Sequence, residues 1–127
     1  SVKDTKFDLN KTFHISQNFL DEGGIDHNYV LKNANLVKAD GKIFSTLTGM
    51  GVEYFTDQPG MQFYTGNMMD KHYEGKYYKT YGKNHGMCFE PQIFPDAINH
   101  SNFPSPMLNA GDTYRSTIKM KFRNNFI

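Results

Sequence analysis

The sequence has no tryptophan and a single cysteine, Cys88, among its 127 residues. One cysteine cannot form an internal disulfide, so the sequence argues against a disulfide-stapled secreted scaffold and fits a reducing compartment. Basic and acidic residues number 14 and 13, which gives a formal net charge of +1. Without an excess of positive charge, the sequence predicts no binding to nucleic acid or to an anionic membrane.

Long apolar segments are also missing. The longest apolar runs are a few residues, whereas a membrane-spanning helix needs about 20. The polar start Ser1-Val2-Lys3-Asp4 does not have the pattern of a signal peptide. These features predict a cytoplasmic protein without a membrane partner. At 127 residues the chain is one domain at most, long enough to bury about two thirds of its unfolded surface.

The residues present in quantity favour β structure. There are 11 Phe, 8 Tyr and 11 Gly; the aromatic residues suit half-buried strands, and glycine suits tight turns. Residues 113–122 alternate with a period of two, as a strand with one solvated face does. Helical periodicity is limited to short turns at residues 16–21 and 96–100. The fold class predicted from this pattern is all-β, an antiparallel β-sandwich.

Turn sequences separate the predicted strands. Asp40-Gly41 is typical of a two-residue hairpin turn, and Pro59-Gly60 predicts a second turn. Pro91 is expected to end the strand that contains it, because proline cannot donate to a central ladder. Residues 68–83 are predicted to form an exposed connection, and residues 94–111 a long irregular loop. The predicted strands are residues 34–39, 42–48, 52–56, 61–64, 87–92 and 113–122.

Three stretches of the sequence, in this order, match the motifs of one enzyme family. They are Gly23-Gly24-Ile25-Asp26-His27-Asn28-Tyr29-Val30-Leu31, Asp57-Gln58-Pro59-Gly60-Met61-Gln62-Phe63-Tyr64-Thr65-Gly66-Asn67 and Cys88-Phe89-Glu90-Pro91-Gln92-Ile93-Phe94-Pro95-Asp96-Ala97-Ile98-Asn99. With all three, the chain resembles the aldose 1-epimerases, the galactose mutarotases, over residues 4–122. The resemblance covers only the C-terminal portion of the family's catalytic domain and implies its large antiparallel β-sandwich.

The resemblance also implies the residues of a sugar site. The family's catalytic base falls on Glu90, its substrate-binding aspartate on Asp26, and a sugar-contacting glutamine on Gln62. Alternation along the strand supports the first assignment, because Glu90 and Gln92 point to one side and Phe89 to the other. By the same alternation, the two apolar neighbours of Gln62 are expected to face the core and Gln62 to face the other side. Plainer interpretations stay open for each residue: a solvated glutamate, an aspartate that bonds its own turn, and a glutamine paired across the sheet.

Mutarotation needs an acid as well as a base. In the family, the acid histidine, a second active-site histidine and a sugar-binding arginine come from motifs that precede the matched stretches, and none of the five histidines here lies in them. We therefore expect a C-terminal segment that carries the base and part of a hexose site, without cofactor or metal, and that is inactive alone. An N-terminal half joining in trans, or pairing of copies through an uncovered sheet edge, is the expected partner.

Two other functions stay open. One is a noncatalytic carbohydrate-binding or interaction module that kept the fold and lost the chemistry. The other is an enzyme that acts on hexose 6-phosphates, which needs a basic phosphate pocket. His85 and Cys88 are spaced like part of a metal site, but no second pair completes it.

Overall fold

The computed structural model describes residues 1–69 and 73–125. Within these ranges the chain forms one short α-helix, α1, and eight β-strands. The helix spans Gln17–Asp21, and the strands are β1 (Asp26–Val30), β2 (Gly41–Phe44), β3 (Gly51–Thr56), β4 (Gly60–Tyr64), β5 (Tyr73–Glu74), β6 (Thr80–Tyr81), β7 (Cys88–Gln92) and β8 (Ile118–Arg123). This content confirms the predicted all-β class.

The strands are ordered β1-β4-β7, β2-β3-β8 and β5-β6. Antiparallel pairing joins β2 to β3, β3 to β8 and β5 to β6. By their internal contacts, the residues fall into two units: residues 1–27 with 63–89, and residues 28–62 with the chain from Glu90 onward. Each unit is described by itself below.

In the first unit, the sequence accounts for the start of α1. The Ser16 side chain accepts a hydrogen bond from the backbone N–H of Phe19 at 3.3 Å, which caps one of the free donors of the first turn. Phe19 and Leu20 are buried, and the Phe13 ring meets Phe19 edge-on at 4.8 Å. The short helical turn expected at residues 16–21 is confirmed.

A buried threonine ties the start of β1 to the end of β4 in the same unit. Thr65 is fully buried, and its hydroxyl accepts from the Ile25 N–H at 2.9 Å and donates to the Ile25 carbonyl at 3.2 Å. Gly24 has a φ of +60°, and a Cβ there would overlap the Thr65 hydroxyl. Only glycine suits both the left-handed backbone and the close approach.

In the second unit, the sheet β2-β3-β8 has a charged side. Glu53 is buried, yet its carboxylate binds Lys42 Nζ at 2.9 Å and Arg123 Nε at 3.0 Å. The ammonium of Lys119 lies 4.1 Å from the centroid of the Phe55 ring. These contacts compensate for the loss of solvent around this buried carboxylate.

The predicted hairpin at Asp40-Gly41 is wrong. Residues 34–39 form no strand, and β2 instead turns at residues 45–50 to pair with β3. The Asp40 carboxylate accepts from the backbone N–H groups of Ala34 and Thr56, both at 3.1 Å. The Asp40 side chain therefore satisfies two backbone donors, and one of them, on Thr56, is distant in the sequence. An aspartate that makes these bonds is not available to stabilise a tight turn at its own position.

The predicted strand at residues 113–122 begins late, at Ile118. The last residue of β3, Thr56, pairs with Ile118, and the preceding Thr117 N–H donates to Asp57 Oδ1 at 3.0 Å. Pairing cannot continue beyond the end of the partner strand, so residues 113–117 stay outside the sheet. The strand predicted at residues 87–92 is confirmed as β7, which ends directly after Pro91, at Gln92, and tolerates the proline because it is an edge strand.

Other predicted elements are confirmed. The strand at residues 61–64 lies within β4, and residues 94–111 are irregular apart from a short 3₁₀ turn, Ala97–Asn99. Residues 74–83 are mostly exposed, and β5 and β6 lie in this part of the chain, whereas residues 70–72 of the predicted connection lie outside the described residues. No helix in the described part of the chain is long and apolar enough to cross a membrane.

Candidate active site

Gln62 lies in β4, the middle strand of the order β1-β4-β7. Its neighbours Met61 and Phe63 are only 4% and 5% exposed, whereas Gln62 is half-buried. Successive residues of a strand point to opposite sides. The two apolar neighbours therefore occupy the core side, and the Gln62 amide occupies the other, as the sequence predicts.

Glu90 lies in β7 and is exposed to solvent. The preceding Phe89 is half-buried, and its ring stacks on that of Phe63 with the centroids 4.7 Å apart and the planes 22° apart. Such an aromatic pair contributes about 0.5–1.5 kcal/mol beyond the burial of its area. Because Phe89 is held on one side of the strand, the Glu90 carboxylate is presented on the other.

The pairing of β1 with β4 brings a further amide to the side of Gln62. The Leu31 N–H donates to the Pro59 carbonyl at 2.9 Å, and this bond sets the antiparallel register in which Asn28 lies opposite Gln62. Side chains of directly opposed residues share one face of a sheet. Asn28 and Gln62 are therefore neighbours on that face.

Asn28 in turn meets Gln92. The Gln92 Nε2 donates to Asn28 Oδ1 at 3.3 Å. A Cβ on Gly60 would lie 2.8 Å from Asn28 Oδ1 and 2.8 Å from Cδ1 of Phe94, so the absence of a side chain at Gly60 makes room for the amide. Gln92 and Glu90 are two residues apart and therefore point to the same side of β7. Four side chains of the second unit thus share one face. We call Asn28, Gln62, Glu90 and Gln92 the polar face.

Sequence reasoning found Gln62 and Glu90 but gave no role to Asn28 and Gln92. A usable signal was present, because Asn28 follows Asp26 by two residues and Gln92 follows Glu90 by two. The period of a strand places each of them beside a predicted site residue. The contact between the two amides also needs the space at Gly60, which the sequence alone marks only as part of a turn.

Asp26 belongs to the first unit, at the start of β1, and is half-buried. Its position follows from the Thr65 contacts to the preceding Ile25, and its own backbone N–H donates to His27 Nδ1 at 3.2 Å. The His27 ring packs on Phe7 with the centroids 4.3 Å apart. That Asp26 contacts the same sugar as the residues of the polar face stays a prediction.

Tyr29, His85 and Cys88 are further residues whose side chains could transfer a proton or bind a metal ion. Burial raises the pKa of Tyr29 to about 12, so its hydroxyl stays protonated near neutral pH. His85 and Cys88 are both exposed. Within residues 1–69 and 73–125, no three His, Cys, Asp or Glu side chains are grouped as the ligands of a metal ion would be.

Comparisons with known proteins concern the family and the fold of the chain. The family model described as "Aldose 1-epimerase" matches residues 1–121. Galactose mutarotases of Mus musculus and Homo sapiens are each 37% identical to the chain over 123 residues, which is 95% of this chain and 36% of each relative. The aldose 1-epimerase of Escherichia coli (strain K12) is 28% identical over 135 residues, covering 96% of this chain and 38% of the relative.

A solved structure gives the same result. The crystal structure of the GalM/aldose epimerase homologue from C. elegans superposes with a TM-score of 0.85 at 25% identity, covering 98% of this chain and 38% of that one. This likeness confirms the predicted fold, an antiparallel β-sandwich of the mutarotase kind. The chain spans a little over one third of the length of the curated relatives it matches. With its family model, relatives and fold in agreement, the chain belongs to the aldose 1-epimerase family.

Proposed function

We propose that the protein containing this chain interconverts the α and β anomers of a hexose such as galactose or glucose. Glu90 is the base, and Asp26 and Gln62 contact the sugar. The observation that carries the proposal is the exposed Glu90 carboxylate, which lies on the polar face with Gln62, whereas the neighbouring Phe89 packs on Phe63. Family membership supplies the reaction to which this arrangement is suited.

In the proposed reaction, the Glu90 carboxylate accepts the proton of the anomeric hydroxyl. The C1–O1 bond becomes a carbonyl as the bond between C1 and the ring oxygen breaks, and an acid protonates the ring oxygen. Rotation about C1–C2 turns the aldehyde, and the ring closes from the other side with both protons returned. The Gln62 side-chain amide hydrogen-bonds to the hydroxyl groups of the sugar, and Asp26 accepts from them.

The acid is proposed to come from outside these 127 residues. The matched motifs contain no acid histidine, and two histidines of the chain have other contacts: His27 accepts from the Asp26 N–H, and His100 Nε2 lies 3.1 Å from Asp96 Oδ2. His72 lies outside the described residues. We therefore expect no mutarotation by the 127-residue chain alone above the buffer rate.

Polarimetry on freshly dissolved α-D-galactose and α-D-glucose tests the proposal in the protein that the gene encodes. Glu90→Gln keeps the shape and removes the base, so kcat is expected to fall by about 10²–10⁴-fold. Glu74→Gln on exposed β5 is the matched control and is expected to leave the rate unchanged. Full activity of the Glu90→Gln variant would remove Glu90 from the mechanism.

The same assay separates the alternatives. A noncatalytic carbohydrate-binding module would bind galactose, by NMR titration, equally well with and without the Glu90→Gln substitution and would never change the rate of mutarotation. An enzyme for hexose 6-phosphates would act on α-D-glucose 6-phosphate in preference to α-D-glucose. Catalysis by the 127-residue chain alone would place the acid on one of its own side chains.

A further inference from the structure

We propose that Asn28 and Gln92 form a second sugar-binding contact, which holds one or two hexose hydroxyl groups beside Gln62 and Glu90 and selects among sugars. The inference rests on the proposed hexose function and adds two residues to it. Its basis is the amide pair that crosses the sheet over Gly60, where a hydrogen bond of 3.3 Å joins Gln92 Nε2 to Asn28 Oδ1.

This hydrogen bond decides which polar atoms remain for a ligand. Asn28 Oδ1 is the acceptor, so Asn28 keeps its Nδ2 donors, and Gln92 keeps the Oε1 acceptor. Among residues 1–69 and 73–125, neither of these two groups makes another hydrogen bond. Both side chains are half-buried, hence partly open to solvent. The pair thus offers a donor and an acceptor side by side.

A donor next to an acceptor matches a pair of sugar hydroxyl groups, each of which both donates and accepts. Such a match discriminates more strongly than an apolar contact, because a sugar that lacks the hydroxyl leaves the protein amide without its partner. Gln92 stands two residues from Glu90 on the same side of β7, so a hydroxyl bound there belongs to the hexose whose anomeric centre reaches the base.

The surroundings hold the pair in place before a sugar arrives. Gly60 leaves the space that Asn28 occupies, and the Phe94 ring lies beside the same position. Phe94 packs edge-on against Phe103, with centroids 5.2 Å apart and planes at 86°. Side chains that are already ordered lose less conformational freedom on binding, which favours a defined contact.

Two-dimensional ¹H–¹⁵N NMR of the full protein tests the contact directly, with D-galactose as the probe. The side-chain amide signal of Asn28, assigned by its loss in Asn28→Asp, is expected to shift during the titration. Gln92→Met keeps the approximate volume and removes the amide, so the dissociation constant and KM are expected to rise about three- to tenfold. The value of kcat and its pH profile are expected to stay unchanged, because Glu90 is intact.

Monodeoxy galactoses identify the hydroxyl group. The analogue that lacks it binds more weakly than galactose to the wild-type protein, and this difference is expected to disappear in Gln92→Met. Gln17→Met, which removes an exposed amide of α1 that donates to Asp21, is the matched control and is expected to bind galactose like the wild type.

The outcomes separate this inference from the proposed function. An unmoved Asn28 signal, or an unchanged affinity in Gln92→Met, overturns the second contact even when Glu90→Gln abolishes catalysis. A galactose titration that shifts no signal of the wild-type protein, together with no catalysis, overturns both. A fall in kcat with an altered pH profile in Gln92→Met also overturns the inference, because it would place Gln92 in the proton transfer.

Discussion

Strands β4 and β8 have the same alternation of apolar and polar residues and opposite surroundings. In β4, Met61 and Phe63 are almost completely buried. In β8, the alternating residues Met120 and Phe122 are 52% and 70% exposed. Alternation therefore determines which side chains share a face, whereas burial requires another element to cover that face.

The two strands also differ in what holds them. The Phe63 ring of β4 packs on Phe89, whereas β8 is fastened mainly by polar contacts. Thr117, just before β8, donates to Asp57, Lys119 Nζ donates to the Leu36 carbonyl at 2.7 Å, and Arg123 pairs with Glu53. Pairing of copies through an uncovered sheet edge, expected from the sequence, stays a prediction.

The largest contrast is expected between two phenylalanine substitutions. Phe63→Ala leaves a cavity in the core and should cost about 3–5 kcal/mol of unfolding free energy. Phe122→Ala removes a ring that is already in solvent and should change stability by about 0.5 kcal/mol or less. Urea unfolding followed by circular dichroism measures both. Equal losses would mean that β8 is covered in solution.

A backbone substitution beside β4 is expected to have the next largest effect. Gly24→Ala combines a left-handed backbone with an overlap on the Thr65 hydroxyl, and the backbone alone costs about 1–2 kcal/mol. Gly86→Ala in the same unit meets nothing within 4 Å and serves as the control. The same unfolding assay applies, and a Gly24→Ala variant as stable as Gly86→Ala would contradict the close approach to Thr65.

On β8, substitution of Lys119, which lies over the Phe55 ring, is expected to lower stability more than substitution of Lys121. Lys119→Met loses the contact with Phe55 and the bond to the Leu36 carbonyl, with an expected cost of about 0.5–1 kcal/mol. Lys121→Met is matched in chemistry, and within the described residues the side chain of Lys121 makes no ion pair or hydrogen bond. If the two variants unfold at the same urea concentration, β8 is not held by Lys119.

The smallest effect on stability is expected when the pH is lowered. Hydrogen bonds from Lys42 and then Arg123 lower the pKa of Glu53 below its usual 4.5, and the Thr117 N–H lowers the pKa of Asp57. A carboxylate whose pKa is lower in the folded than in the unfolded protein stabilises the fold at pH values above its unfolded-state pKa. This contribution is lost as the pH falls through its folded-state pKa. Unfolding free energy should therefore decline below about pH 4.5.

Glu53→Gln removes one of these two groups, so its stability should depend less steeply on pH between about 2 and 5. Glu74→Gln, on the exposed strand β5, is the control and should keep the slope of the wild type. An unchanged slope in Glu53→Gln would show that the carboxylate gains nothing from Lys42 and Arg123 in the folded protein.

Alternation predicted the orientations of Gln62 and Glu90 because each has an apolar neighbour that packs on the opposite side. The Asp-Gly turn signal failed at Asp40, whose carboxylate accepts hydrogen bonds from the backbone N–H groups of Ala34 and Thr56, which lie on either side of it along the chain. A local turn signal cannot reveal such a use, since the second bond requires β3 to be in place. The start of β8 was missed for the same reason: it is set by where β3 ends.

The sequence by itself determined the all-β class, the family and the residues expected to carry the chemistry, because short-range alternation and three motifs in order are properties of the chain. Only the tertiary structure decided that Asn28 meets Gln92 over Gly60 and that β4 is buried while β8 is not. Those outcomes depend on strand register and on the elements that pack nearby. Strand register and the burial of a strand by other elements depend on residues that are far apart in the sequence, so a local sequence pattern cannot predict them.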